Sequence, residues 1–136
     1  MKKVMVLCTG NSCRSQMAEG FLREIGRDRV EAHSAGVIAA GVNSRAIEVM
    51  REAGIDISKH KSKVIDPAVL NQMDIIITVC GNAEASCPVT PPHITRLHIP
   101  IDDPVGTVGS DEFIMSDFRR AREEIRREME RVVASL

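Results

Sequence analysis

The segment Val4-Met5-Val6-Leu7-Cys8-Thr9-Gly10-Asn11-Ser12-Cys13-Arg14-Ser15-Gln16-Met17-Ala18-Glu19-Gly20-Phe21-Leu22-Arg23-Glu24-Ile25-Gly26 decides how the chain reads. It opens on a short continuous apolar run, Val4–Leu7, the pattern of a strand covered on both faces. It closes on Ser15–Ile25, where Ala18, Phe21, Leu22 and Ile25 share one helical face and Gly26 can end the helix. The polar residues between them, Cys8 to Arg14, form a tight connection from strand to helix.

Outward from this segment the alternation continues. Val30–Ser34 reads as a second, weaker strand. Asn43 or Ser44 can cap a helix that runs through Ala53 and stops at Gly54. Pro67 suits a first helical position. Asp74–Val79 is the strongest strand, centred on Ile75-Ile76-Ile77, and Ile94–Ile99 is a fourth, bounded by Pro92 and Pro100. A last helix starts near Ser110, with Ile114, Phe118, Ala121, Ile125, Met129 and Val132 stepping by three or four residues and an Arg/Glu-rich opposite face. Strands alternating with helices predict an α/β fold, a parallel sheet covered on both faces in three α/β/α layers. No repeat, low-complexity stretch or linker divides residues 1–136, so one domain is expected. Ligands of such sheets bind at the carboxyl ends of the strands. Cys8, Cys80 and Asp102-Asp103 each follow a strand and are expected to meet there.

Composition narrows the function. The 136 residues carry a net charge of −1 and 43% hydrophobic residues, which argues against a disordered chain and against a global attraction to nucleic acid or anionic membranes. Tyr and Trp are absent, so the usual stacking platforms for single strands are missing. The apolar run after Met1-Lys2-Lys3 is shorter than a signal-peptide core, and no stretch is long enough to span a bilayer. A cytoplasmic, monomeric protein is expected, in which four cysteines serve chemistry rather than structural disulfides.

The connection Cys8–Ser15 has the parts for nucleophilic attack on an oxyanion. Backbone N–H groups of Thr9, Gly10, Asn11, Ser12 and Cys13 can cradle a tetrahedral anion at a helix start. Gly10 permits the tight turn, and Arg14 offers planar donors for two oxyanion oxygens. The helix N-terminus and Arg14 both favour a thiolate at Cys8, and the Ser15 hydroxyl can donate to it. Cys13 has no evident chemical task and reads as packing. Asn11 either braces the loop or fills a turn position.

Cys8-x5-Arg14-Ser15 at the extreme N-terminus resembles the low-molecular-weight protein tyrosine phosphatase family, over nearly the whole chain. That resemblance implies a four-stranded parallel sheet flanked by helices. It also implies a general acid at an Asp before Pro, which Asp103-Pro104 matches. Thr78-Val79-Cys80-Gly81-Asn82-Ala83-Glu84-Ala85-Ser86-Cys87-Pro88, together with Cys8–Gly20, looks like the thioredoxin-coupled arsenate reductase branch.

The resemblance implies a relay of thiols. Cys8 attacks arsenic while Asp103 protonates the departing oxygen. Cys80 then attacks Cys8 and releases arsenite, and Cys87 attacks Cys80, leaving a Cys80–Cys87 disulfide for thioredoxin or another dithiol protein to reduce. No bound cofactor is implied. Adjacent strands sit roughly 4.8 Å apart and a disulfide needs Cα atoms within about 7 Å, so Cys8 and Cys80 at neighbouring strand ends can meet after modest movement. Should Asn82–Ser86 be helical in the reduced protein, Cys80 and Cys87 are too far apart to bridge until that helix opens.

Three other readings compete. A phosphotyrosine phosphatase needs only Cys8, Arg14 and Asp103, but such enzymes tend to flank the phosphate loop with aromatic residues. A zinc module favours cysteine pairs two to four residues apart, which Cys80 and Cys87 are not. A redox sensor would form disulfides yet ignore arsenate. His33, His60, His93 and His98 show no ligand spacing, and no metal ligands are assigned. Some members of the family respond to a monovalent cation; Asn11, Glu19 and Ser34 are candidate positions for one, and Lys63 counts against it.

Overall fold

Val4, Val6 and Leu7 are wholly buried and Met5 nearly so, because the strand that holds them lies inside the sheet. The computed structural model describes all residues, Met1–Leu136. The strands are β1 (Lys2–Cys8), β2 (Val30–Gly36), β3 (Ile75–Thr78) and β4 (Thr95–His98). They form one sheet in the order β2-β1-β3-β4, every pair parallel. The register aligns Cys8 with Gly36 and Leu7 with Thr78. The ends of β1, β2 and β3 therefore finish at one level, and the residues after them share one edge.

The helices are α1 (Arg14–Gly26), α2 (Ser44–Glu52), α3 (Pro67–Leu70), α4 (Gly81–Ser86) and α5 (Asp111–Ala134). Three starts are capped by the short polar side chains that favour this position. Asn43 accepts from the Arg45 and Ala46 amides, Asp66 from Ala68 ahead of a helix that begins on Pro67, and Ser110 from Phe113. Gly54 lies past α2 with φ +80°, a conformation open to glycine at little cost.

Period-two alternation along β1 sorts the core into two layers. Val4, Val6 and Cys8 face α1, α2 and α5, packing with Met17, Phe21, Leu22, Met50, Phe118, Ile125 and Met129. Met5 and Leu7 face the smaller layer of Leu70, Met73, Ile76 and Ala83 under α3 and α4. The observed β3 and β4 are each one residue shorter at both ends than the apolar runs Asp74–Val79 and Ile94–Ile99. Ile94 and Ile101 are buried as flanking packing residues, whereas all four residues of β4 are exposed on the sheet edge. β2 continues to Gly36, beyond Ser34.

Candidate active site

The loop from Cys8 to Arg14 is shaped by its carbonyls. Cys8 O accepts from Val37 N, Thr9 O from Ile38 N, Gly10 O from Ala40 N and Ser62 Oγ, and Ser12 O from Asn43 N. Asn11 O accepts from Gln16 Nε2. With each carbonyl from Cys8 to Ser12 taken by an outer partner, the loop's N–H groups are the backbone polar groups left for its inner side. That arrangement is an anion nest. It encloses a cavity of about 220 Å³ lined by Cys8, Thr9, Gly10, Ser12, Cys13, Arg14, Ala40, Asp103 and Val105.

Gly36 makes this wrapping possible. A Cβ there would lie 2.6 Å from Asn11 N and 2.8 Å from Thr9 O, so any other residue would push β2 into the loop. Asn11 sits at φ +45°, the left-handed region that asparagine tolerates better than most residues. Its wholly buried side chain donates to Ser15 Oγ and Ser34 Oγ, each at 2.9 Å, and accepts from Lys63 N at 2.8 Å and Gln16 Nε2 at 3.1 Å. Asn11 thus braces the loop from behind, outside the cavity.

Cys8 is nearly inaccessible, and its Sγ lies 2.8 Å from Ser15 Oγ. Cys13 is also buried. Burial pushes its thiol up from the ordinary range, the nearby Asp103 carboxylate and Cys8 add to this, and Arg14 and Arg120 only partly oppose it. Cys13 is therefore a neutral packing thiol beside the nucleophile.

Arg14 donates to Ile101 O at 2.9 Å and lies 3.3 Å from Asp103 Oδ2, so the anion-binding side chain and the carboxylate share one wall. Asp103 Oδ1 accepts from Val105 N, which closes a local turn. Asp102 touches its surroundings through its carbonyl, which accepts from Arg120. Arg120 also pairs with Asp117, and Asp117 accepts from Thr107, so α5 pins both sides of this segment.

Cys80 is the N-cap of α4. Its Sγ accepts from Ala83 N at 3.3 Å and lies 3.3 Å from Thr9 Oγ1, which in turn accepts from Asn82 Nδ2 at 3.3 Å. A second thiol is thus held against the nucleophile loop through one hydroxyl. Cys87 stands at the other end of α4, and all four cysteines are free. Burial raises the Cys87 thiol, helped by Glu84 and opposed by Arg96.

The family model described as low molecular weight phosphotyrosine protein phosphatase matches residues 3–136. The chain belongs to that family. A relative from Bacillus licheniformis named arsenate reductase is 49% identical over 124 residues, covering 91% of this chain and 89% of the relative. An arsenate reductase 2 from Staphylococcus haemolyticus is 46% identical over 129 residues, 95% of this chain and 94% of its own. Among solved structures, a low molecular weight protein tyrosine phosphatase from T. tengcongensis superposes with a TM-score of 0.85 at 27% identity, covering 100% of both chains. An arsenate reductase in the phosphate binding state gives 0.79 at 33% identity, covering 99% of this chain and 98% of that one. The α/β fold with its four-stranded parallel sheet is the fold of this phosphatase family.

Within this family member, several contributors carried no sequence signal. Gln16, His60 and Gly36 each act through distant backbone or side chains. His60 Nδ1 donates to Gln16 Oε1 at 3.0 Å; burial holds the imidazole below its usual range, with Glu19 acting the other way. Glu19 accepts from Ser34 at 2.7 Å and from Arg23 at 3.1 Å. Asn11 donates to Ser34 and Ser34 to Glu19, a hydrogen-bonded chain through the three residues, and Lys63 turns its ammonium to Lys61 O. No group of three or more His, Cys, Asp or Glu side chains converges as a metal cluster, and no helix is long and apolar enough to cross a membrane.

Proposed function

We propose that this protein reduces arsenate to arsenite by a relay through Cys8, Cys80 and Cys87, with thioredoxin or another dithiol protein as the electron source. The observation that carries the reading is Cys80 Sγ held 3.3 Å from Thr9 Oγ1 at the rim of the anion nest. A phosphatase, whose intermediate is broken by water, has no use for a second thiol there.

In this mechanism arsenate enters the nest and Arg14 turns from Asp103 to the oxyanion. The Cys8 thiolate, stabilised by the Ser15 hydroxyl, attacks arsenic. The departing oxygen takes a proton from Asp103 and leaves as water. The Cys80 thiolate then attacks Cys8 Sγ. The S–As bond breaks with its electron pair going to arsenic, so As(V) becomes As(III) and the two thiols become a Cys8–Cys80 disulfide. Cys87 attacks Cys80 Sγ and displaces Cys8 as thiolate, which resets the nest. The names of the relatives, arsenate reductases at 45–49% identity, support this substrate. A role in arsenic detoxification follows from it.

A phosphotyrosine phosphatase is the second reading, supported by the fold and by Cys8, Arg14 and Asp103. The cavity mouth carries Ala40 and Val105 and no aromatic ring, which favours a small oxyanion over an aryl phosphate. The deciding experiment couples the protein to thioredoxin, thioredoxin reductase and NADPH. Arsenate-dependent NADPH oxidation that disappears in Cys80→Ser and Cys87→Ser is expected. p-Nitrophenyl phosphate hydrolysis without arsenate turnover would favour the phosphatase.

A further inference from the structure

A hydrogen-bonded relay through Thr78, Glu84 and His98 ties α4 to the sheet and has no part in the chemistry above. Thr78 closes β3 and is buried. Its Oγ1 lies 2.6 Å from Glu84 Oε2 and 2.9 Å from His98 Nδ1. A carboxylate can only accept, so the Thr78 hydroxyl donates to Glu84 and receives the His98 Nδ1–H. Glu84 is the one charged side chain on α4. The other holds on that helix are weaker or local: Ala83 in the core, Asn82 on Thr9 at 3.3 Å, and the cap at Cys80.

The helix keeps its two flanking thiols apart. Cys80 is its N-cap and Cys87 its C-cap, so the seven-residue separation puts their Cα atoms about 10.5 Å apart along the axis at 1.5 Å per residue. A disulfide needs roughly 7 Å or less. Forming Cys80–Cys87 therefore requires α4 to unwind, and unwinding withdraws Glu84 from Thr78.

We propose that Glu84 is a positioning residue for the resolving step: anchored by Thr78 and His98, it holds α4 wound in the reduced protein, keeps Cys87 from Cys80 until the relay demands it, and raises the reduction potential of the pair. The proposal rests on the three-thiol reading given above. An interaction present only in the dithiol form stabilises that form and makes the disulfide the stronger oxidant. The consequence is selective. With the anchor in place, Cys80 and Cys87 resist oxidation by a glutathione disulfide, in which the two thiols would become one disulfide and release two glutathione thiols. Once formed by the relay, the same disulfide is readily reduced by a dithiol partner.

The test equilibrates wild type, Glu84→Ala, Glu84→Gln and Thr78→Val over a series of dithiothreitol and glutathione redox buffers. Acid quenching, alkylation and peptide mass spectrometry then read the Cys80–Cys87 fraction. Glu84→Ala and Thr78→Val remove the same bond from opposite ends, so misfolding of one leaves the other to decide. Both are expected to favour the disulfide by about tenfold over wild type, a fall of about 30 mV for this two-electron couple. Glu84→Gln, whose amide oxygen still accepts from Thr78, is expected within about threefold of wild type, since a neutral acceptor is only modestly weaker. Midpoints of Glu84→Ala and Thr78→Val equal to wild type would overturn the proposal, as would Glu84→Gln shifting as far as Glu84→Ala. A folded wild-type protein that forms no Cys80–Cys87 disulfide at any poise would overturn the three-thiol reading itself.

Discussion

Asn11 donates its side-chain amide to Ser15 Oγ at 2.9 Å, and that bond occupies one of the two lone pairs on the serine oxygen. With a lone pair of Ser15 taken by an N–H, its own hydrogen is free for Cys8 Sγ, 2.8 Å away. In the proposed mechanism the Ser15 hydroxyl, held by Asn11 from the far side of the loop, donates to the attacking sulfur. Ser15→Ala is expected to slow arsenate reduction by roughly 10–100-fold, the range for a hydrogen bond to a charged group. Phosphate, bound as a competitive inhibitor, should retain its affinity because the nest and Arg14 are untouched. Alkylation of Cys8 by iodoacetamide should slow in parallel. An unchanged alkylation rate would show that Ser15 does not act on the thiolate.

Asp103 lines the cavity and pairs with Arg14, whereas Asp102 is held through its carbonyl. Asp103→Asn should lower arsenate turnover by roughly 10²–10⁴-fold, the usual contribution of a positioned proton donor. It should also release Arg14 from its ion pair, so phosphate inhibition is expected to hold or tighten. Asp102→Asn should leave turnover within a few-fold of wild type, as substitutions of exposed side chains away from the reacting groups usually do. Steady-state kinetics on the pair checks the assignment, and a crippled Asp102→Asn beside an active Asp103→Asn would reverse it.

What the sequence made legible was what is local. The apolar run at Val4–Leu7 and the three-four spacing of Ala18, Phe21 and Leu22 give β1 and α1 directly, because strand and helix periods are properties of neighbouring residues. Of the two candidates Asn43 and Ser44, Asn43 caps α2, and Ser110 caps α5. The ends of β4 were not legible: Ile94 and Ile99 continue its apolar run, yet the ladder with β3 stops at His98 and leaves an exposed edge. The brace behind the nucleophile was half legible. Asn11 between Gly10 and Ser12 reads as either a loop brace or a turn residue, and the partners that decide for the brace, Ser34 and Lys63, come near only when β2 and the following loop have folded. Gly36 carries no pattern at all; its necessity lies in the backbone that passes beside it.

Glu52 at the end of α2 meets α5 through two arginines. Its carboxylate accepts from Arg119 Nε at 2.9 Å and from Arg122 at 2.8 Å, and the Arg119 bonds followed by those of Arg122 hold its pKa down to about 2. The unfolded chain has the ordinary value, about 4.3. A group depressed on folding adds stability above the unfolded value and loses it as pH falls towards the folded one. Wild type should therefore exceed Glu52→Gln in urea stability at pH 7, by about 1 kcal/mol because the pairs are partly exposed and screened. The gap should narrow as pH falls from about 5 towards 2. A gap that stays constant with pH would mean that the arginines pack against Glu52 without favouring its charge.

Oxidation of Cys80 and Cys87 is expected to open α4. In the reduced protein Glu84 N donates to Cys80 O at 3.1 Å and Ala83 N to Cys80 Sγ at 3.3 Å. Both bonds depend on Cys80 serving as the cap of a wound helix, and neither survives if Cys87 is drawn to within about 7 Å of it. A six-residue helix is marginal alone and stays wound by its packing on the sheet. Its opening should therefore be local, leaving β1 and β3 intact. Hydrogen exchange followed by mass spectrometry, on protein reduced or carrying a confirmed Cys80–Cys87 disulfide, reads this directly. Short-time protection across Ala83–Ser86 should fall on oxidation, while peptides from Val4–Leu7 and Ile75–Thr78 keep theirs. The released segment would carry the disulfide outward, where a dithiol partner can attack Cys87. Protection across Ala83–Ser86 that does not change would mean the disulfide closes without unwinding the helix, and the distance argument from Cys80 to Cys87 would fail.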